Sequence, residues 1–164
     1  MKKPTVEHPE PKAQTGTPRA SPTVSVRSVT RSDGREQAFE IRRRVFQEEQ
    51  GVSSADEFDD DDERATHVLA TVGQVPVGTG RIVFFPDYAK VGRMAVSKEW
   101  RRRGVGRLIL EALTRVAVEQ GVRHLVLHAQ VHALPFYAAQ GFQVVSDEFQ
   151  EAGIPHRRME RWLP

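Results

Sequence analysis

The chain reads as an α+β domain of the α/β type, with a mixed, mainly antiparallel central sheet flanked by helices in the order βαβββαβαββ. Three observations point there. Short strand-like segments come three in a row between two stretches of helical period, the arrangement expected when neighbouring strands run antiparallel. From Asp33 and again from Val105, apolar residues recur at helical rather than alternating spacing. No segment repeats another, so one sheet accounts for the pattern without invoking an array.

Residues 1–22 are rich in Pro, Thr, Ser and Ala, a composition that cannot bury enough apolar surface to offset its ordering entropy, and a disordered tail is expected. The folded domain then covers residues 23–164. Val24 and Val26 alternate as in a first strand. Asp33 with Glu36 reads as a capping box opening a helix whose face carries Ala38, Ile41 and Val45. Gly51 ends it, and an acidic loop runs from Ser53 to Glu63. Strands follow over His67 to Val72 and Val75 to Phe85, joined at Gly73-Gln74, and after Pro86-Asp87 another runs from Ala89 to Val96. The main helix places Val105, Leu108, Ile109, Ala112, Leu113 and Val116 at core spacing and stops at Gly121. His124 to Ala129 is apolar enough for a central strand. Pro135 suits the first turn of the next helix, which Gly141 closes. Gln143 to Ser146 and Pro155 to Leu163 read as two last strands around a Gly-containing loop.

With 164 residues and a formal charge of +2, the chain is one ordinary domain whose total charge does not argue for nucleic acid, although 19 arginines stand against 5 lysines. The absence of cysteine excludes disulfides, a thiol nucleophile and thiolate metal sites. No apolar run approaches the ~20 residues of a membrane span, and Lys2-Lys3 leads into Pro4 and Glu7 rather than an apolar core, so a cytoplasmic location is expected.

The most informative stretch is Val91 to Leu110, VGRMAVSKEWRRRGVGRLIL. A strand-like run passes through Arg101, Arg102, Arg103, Gly104, Val105 and Gly106 into a helix. Glycines let backbone approach a ligand, first-turn amides are unpaired donors, and the helix dipole favours negative charge, so the turn suits a pyrophosphate. A dinucleotide fingerprint would need glycine where Ile109 stands, and no P-loop Gly-Lys-Ser/Thr occurs. An ordinary helix start with solvated arginines and an Arg-rich nucleic-acid patch using Arg42 to Arg44 as well remain alternatives on this segment alone.

Strand, R-x-x-G-x-G, helix resembles the acetyl-CoA pyrophosphate motif of the GCN5-related N-acetyltransferases (GNAT), with Arg101, Gly104 and Gly106 on its defined positions. Leu125 to Phe142, LVLHAQVHALPFYAAQGF, resembles that family's late strand and Tyr-containing segment, with Gln130 where many members carry Asn. Ile41 to Asp62 and Phe149 to Met159 (FQEAGIPHRRM) resemble the ElaA/YjcF-like branch. The resemblance covers about Val24 to the C-terminus and implies a GNAT fold, acetyl-CoA as co-substrate with no metal required, and transfer of acetyl to a primary amine of a small molecule by direct attack on the thioester. It also implies that the strand ending Met94-Ala95-Val96 splays from the one over His124 to Ala129, with backbone amides there, and Gln130, meeting the pantetheine arm and polarising the thioester oxygen.

The same resemblance makes Tyr137 the donor to the departing thiolate, against a plain reading as a core tyrosine between Phe136 and Phe142. For the base, Glu48, Glu49, Glu57, Asp59, Glu151 and His156 are candidates, and the pairing of Glu151 with His156 resembles a feature of the branch. The run from Asp56 to Glu63 is a solvated loop on one reading and a field that concentrates a cationic amine on another. His124, His128 and His132 show no metal-ligand spacing and read as ordinary polar or core histidines. A catalytically silent acyl-CoA sensor would keep Arg101 to Gly106 without needing Tyr137. Beyond acetyl-CoA and an amine, the sequence gives no sign of a membrane or nucleic-acid partner and leaves a homodimer open.

Overall fold

The computed structural model describes residues 22–30 and 32–164, so nearly all of the expected tail lies outside the described residues. Strand β1 (Val24–Val29) leads into α1 (Ser32–Arg42), which continues as a π-helical run over Arg43–Glu49. Two one-turn helices follow, α2 (Ser54–Glu57) and α3 (Asp61–Arg64). Then come β2 (Thr66–Val72), β3 (Val75–Phe84), β4 (Ala89–Val96), α4 (Val105–Glu119), β5 (His124–Gln130) and α5 (Leu134–Ala139). The chain ends with β6 (Gln143–Val144), β7 (Phe149–Glu151) and β8 (Ile154–Trp162). The strand order is β1-β2-β3-β4-β5-β8-β6, with β7 on β8. Among the described residues only β4 and β5 pair in parallel, joined by the α4 crossover.

The mixed, mainly antiparallel sheet and its helices are as the sequence predicts, and three local features differ. Helix α1 starts at Ser32, so Asp33 sits inside the first turn instead of capping it. The acidic segment winds into α2 and α3 rather than staying a loop, with Ser53 Oγ accepting the Asp56 N–H as a helix cap. The loop before the last strand folds back as β7, forming a hairpin on β8.

Helix α4 covers one face of the sheet, burying Val105, Ile109, Leu110, Ala112, Leu113 and Ala117, while α1 covers the other with Ala38, Ile41 and Val45. Close contact with α4 depends on Gly78 and Gly80. A β-carbon on Gly80 would lie 2.8 Å from Ile109 Cγ2 and 2.9 Å from Leu113 Cδ1.

What positions the site is a split in the sheet. Strands β4 and β5 pair through Ala89↔Leu125, Lys90↔Val126 and Val91↔Leu127, and there their ladder stops. Beyond it, β4 stays with β3 as far as Val96, and β5 stays with β8 as far as Gln130↔His156. A bulge on β4 opposes Gly92–Ala95 to Thr79–Arg81 and puts Arg93 at φ 50°, in the left-handed region. The extra residue bends β4 where it leaves β5.

Candidate active site

A cleft of ≈ 470 Å³ opens where the strands part. Met94, Ala95 and Val96 line it from β4, His128 and Gln130 from β5, Tyr137 from α5, and Glu151 and His156 from the β7–β8 hairpin. Arg101 and Gln50 close it on the side of the π-helical run. Nine of the candidate site residues singled out from sequence, Glu57 included, therefore meet in one cavity, while Arg102 to Gly106 form the turn outside it.

That turn is built to accept an anion. Gly104 precedes α4 at φ 80° and no side chain caps the helix, so the amides of the first turn have no side-chain partner. A β-carbon on Gly104 would meet nothing within 4 Å, leaving room for a diphosphate. Gly106 is tighter, with its would-be β-carbon 3.4 Å from Phe136 Cζ. Val105 is buried in the core, so only its backbone faces the turn. Arg102 is exposed at φ 60°, and the Arg103 guanidinium lies 5.0 Å above the Trp100 ring. Arg101 turns away from them. Its Nε donates to the Val96 carbonyl at 2.9 Å and its Nη2 to Glu49 at 2.6 Å, fastening the end of β4 to the π-helical run. Gln130 makes a second tie, donating to Gln50 Oε1 at 2.9 Å.

Across the cleft, Ala152 (φ 50°) and Gly153 (φ 74°) form a two-residue hairpin of the type whose central residues both need positive φ. This turn folds Glu151 back over β8. Glu151 Oε1 is 3.0 Å from His128 Nδ1, and Oε2 is 3.6 Å from His156 Nε2. His156 is buried, and its Nδ1 lies 2.7 Å from the Ile154 carbonyl. A carbonyl can only accept, so Nδ1 carries the proton and Nε2 of the neutral ring is left as an acceptor. The His128 hydrogen bond holds the Glu151 carboxyl below the usual range, against the effect of burial. Glu151 Oε2 and His156 Nε2 thus present two acceptors to one point, suited to an N–H donor between them.

Tyr137 packs at an edge to Phe136 and Phe142, and its hydroxyl donates to Met94 Sδ at 3.6 Å. Burial pushes its pKa up to about 12, which keeps the phenol protonated at neutral pH. A thioether is a weak acceptor, so that proton is not committed to a strong bond.

Of the remaining base candidates Glu57 also lines the cleft, but it is buried against Arg42, while Glu48, Glu49 and Asp59 lie elsewhere. Glu48 pairs with Arg43 and Glu49 with Arg101. Glu57 and Asp62 are buried against Arg42, itself 1% exposed, which donates to both carboxylates and to the Glu57 carbonyl. Arg81 binds Asp59 and Asp62, and Arg93 binds Asp59 and the carbonyls of Asp56 and Glu57. Within the acidic segment Glu57, Asp59 and Asp62 are therefore taken up by Arg42, Arg81 and Arg93, while Asp56, Asp60 and Glu63 stay exposed. The paired carboxylates neutralise the buried Arg42 and Arg81, a cost that only a paired and hydrogen-bonded charge can meet. The same finding dissolves half of the Arg-rich patch, because Arg42 is interior and Arg43 and Arg44 pair with Glu40. Sequence reasoning missed His128, whose signal was its spacing of two from Gln130 on one strand face, and it missed Arg42 and Arg93. Among the described residues no His/Cys/Asp/Glu group is arranged to hold a metal, and no helix is long and apolar enough to cross a membrane.

The profile of the acetyltransferase (GNAT) domain matches residues 30–163. The chain belongs to the GNAT acetyltransferases. It is 40% identical over 123 residues to the N-acetyltransferase YjcF of Bacillus subtilis, covering 74% of this chain and 88% of that one. Its fold superimposes on Escherichia coli ElaA with a TM-score of 0.75 at 25% identity, covering 85% of this chain and 99% of ElaA. A Lactobacillus plantarum protein described as an N-acetyltransferase gives a TM-score of 0.80 at 28% identity, over 86% of this chain and 99% of that structure. These relatives put the chain in the ElaA/YjcF-like branch of GNAT enzymes, which makes it an acyltransferase. Acetyl-CoA is the family's co-substrate, and a GNAT structure from Elizabethkingia anophelis of the same fold was solved with it bound, at 14% identity.

Proposed function

We propose that this GNAT enzyme transfers the acetyl group of acetyl-CoA to a primary amine of a small molecule, by direct attack of the nitrogen on the thioester. The observation that carries this reading is the convergence, in one cleft at the split of β4 and β5, of paired acceptors on Glu151 and His156 with a proton-bearing Tyr137. The cleft volume suits a small acceptor beside a pantetheine arm.

In this mechanism the turn from Arg101 to Gly106 holds the diphosphate through the free amides of α4, with Arg102 and Arg103 adding charge. The edge of β4 released by the split, at Met94, Ala95 and Val96, aligns the thioester and offers backbone donors to its oxygen. Acetyl-CoA supplies the activated acyl group. Glu151 holds the incoming ammonium, and His156 Nε2 takes one of its protons so that the freed lone pair attacks the thioester carbon, with the Glu151 carboxylate beside the resulting imidazolium. The second proton, shed by the nitrogen as the C–S bond breaks, replaces the one that Tyr137 gives to the sulfur. Tyr137 keeps its proton and donates it toward the departing sulfur.

The test is a panel of primary amines incubated with enzyme and acetyl-CoA, read as release of free coenzyme A thiol. Amine-dependent release with an N-acetylated product supports the reading. Tight acetyl-CoA binding with no release on any amine would favour the silent sensor instead.

A further inference from the structure

Two cationic groups on β4 have no part in acetyl transfer as described: Arg93 lines the cleft, and Lys90 stands on the same strand just before the lining residues Val91 and Gly92. Lys90 pairs in register with Val126, so it shares a sheet face with His128, two residues further along β5. It is half-buried, yet among the described residues it makes neither a hydrogen bond nor an ion pair. Its charged neighbours are Glu151 and Asp61 on the one hand and Arg81 and Arg93 on the other, and burial pushes its pKa down. The second group is Arg93, which the bulge holds at φ 50°. Nε and Nη2 are occupied by the Glu57 and Asp56 carbonyls at 3.0 and 3.1 Å, with Asp59 Oδ2 at 3.3 Å. Nη1 hydrogen-bonds to nothing among the described residues, and Arg93 lines the cleft.

Nearby carboxylates do not use up this positive charge. Arg42, Arg81 and Arg93 balance Glu57, Asp59 and Asp62 within one network of ion pairs. Asp61 is paired with Arg64, and Glu151 is hydrogen-bonded to His128. Lys90 has Glu151 as a charged neighbour but no ion-pair or hydrogen-bond partner among the described residues. Between Lys90 and Arg93 the floor is Gly92, where a β-carbon would meet nothing within 4 Å. A clamped guanidinium with one uncommitted nitrogen at the edge of a cleft, near an unpartnered half-buried ammonium, is an arrangement an anion stabilises.

We propose that the acceptor carries a carboxylate besides its amine, seated over Gly92 on Lys90 Nζ and Arg93 Nη1, with the amine directed to Glu151 and His156. The acceptor class is then an amino acid or a close derivative that keeps its carboxylate. This rests on the acetyl-transfer reading above and narrows it. A free polyamine has nothing to offer Lys90 and Arg93, and like charge disfavours it there.

The experiment uses matched triplets of acceptors: a free amino acid, its carboxamide, and the amine left when the carboxyl group is removed, for apolar, aromatic, acidic and basic side chains. Turnover is followed as thiol release with acetyl-CoA saturating. For at least one side chain the carboxylate member should exceed its two partners in kcat/KM by about 10- to 100-fold, the range that one to two charge-assisted hydrogen bonds support. In Lys90→Met, checked for an unchanged melting temperature, that ratio should shrink towards one. A free amine or carboxamide that matches or beats the carboxylate in every triplet overturns this proposal and leaves acetyl transfer standing. So does a ratio that Lys90→Met does not change. Release from none of the acceptors, with acetyl-CoA bound, overturns the carboxylate proposal together with the reading it rests on.

Discussion

Replacing Arg42 by Ala tests how the acceptor wall is held. The side chain is 1% exposed, and it donates from Nε to Glu57 Oε1 at 2.6 Å, from Nη1 to Asp62 Oδ1 at 2.7 Å, and from Nη2 to the Glu57 carbonyl at 2.8 Å. Its guanidinium also lies 5.0 Å from the Phe39 ring and 4.9 Å from the Phe58 ring. Truncation leaves two buried carboxylates facing the hole. Asp62 keeps Arg81 at 2.7 Å, whereas Glu57 keeps only Arg93 at 3.4 Å. Burial already pushes the Glu57 pKa up against the pull of its arginines, so it suffers most from the loss. Removing one partner of a buried pair costs about 3–5 kcal/mol, and the charge that Asp62 retains points to the lower end. For a domain of this size that range corresponds to a fall in melting temperature of about 6–20 °C. Thermal and urea unfolding of wild type and variant supply the measurement. Arg42→Lys keeps the charge without the fork of donors and should recover only part of the loss. A cost below about 1 kcal/mol for Arg42→Ala would refute the argument that this network holds α2 and α3 against the sheet.

Gly106→Glu adds a side chain against Phe136 and a negative charge at the start of α4, so calorimetry should find acetyl-CoA binding abolished in a variant that still folds. Tyr137→Phe removes a hydroxyl whose only hydrogen-bond partner among the described residues is Met94 Sδ, so melting temperature should hold while turnover on an accepted amine falls by ~100-fold, the lower end of general-acid effects, because a thiolate is already a fair leaving group. Wild-type turnover from Tyr137→Phe with chemistry rate-limiting would make the residue structural. Asp62 has its pKa changed most by burial, which raises it, but the hydrogen bonds and charges of Arg42 and Arg81 outweigh that and bring it down from 3.8 to about 2. A carboxyl depressed in the folded state binds fewer protons there than when unfolded, so its stabilisation is complete above pH ~4 and is lost as pH falls towards ~2. Urea titrations across that window should show the loss in wild type and a smaller one in Asp62→Asn.

The periodicity of α4, the glycine turn before it and the short strands were legible because burial imposes a simple pattern on them. Arg42 was not, since an arginine among Arg43 and Arg44 reads as solvated until its partners, 15 and 20 residues away, are known. The pairing of Glu57, Asp59 and Asp62 with arginines was hidden for the same reason. Strand β7 escaped notice because it has only three residues and because its turn puts Ala152, not Asn or Gly, at the first positive φ. Tyr137, Glu151 and His156 were suggested by resemblance alone. No spacing rule connects a tyrosine on α5 with a carboxylate on a hairpin, and only the split between Val91 and Gln130 brings them to one cleft. His128 looked ordinary because its partner, Glu151, lies 23 residues away.

The most direct test of the account is to measure coenzyme A thiol and N-acetylated product in the same reaction, for wild type and for the double variant Glu151→Gln/His156→Gln. Wild type should release one thiol per acetylated amine, and the double variant, still binding acetyl-CoA through the α4 turn, should lose most of its turnover at neutral pH and regain part of it at alkaline pH, where the amine arrives already deprotonated. Thiol released without acetylated amine, or undiminished turnover at neutral pH in the double variant with chemistry rate-limiting, would contradict it.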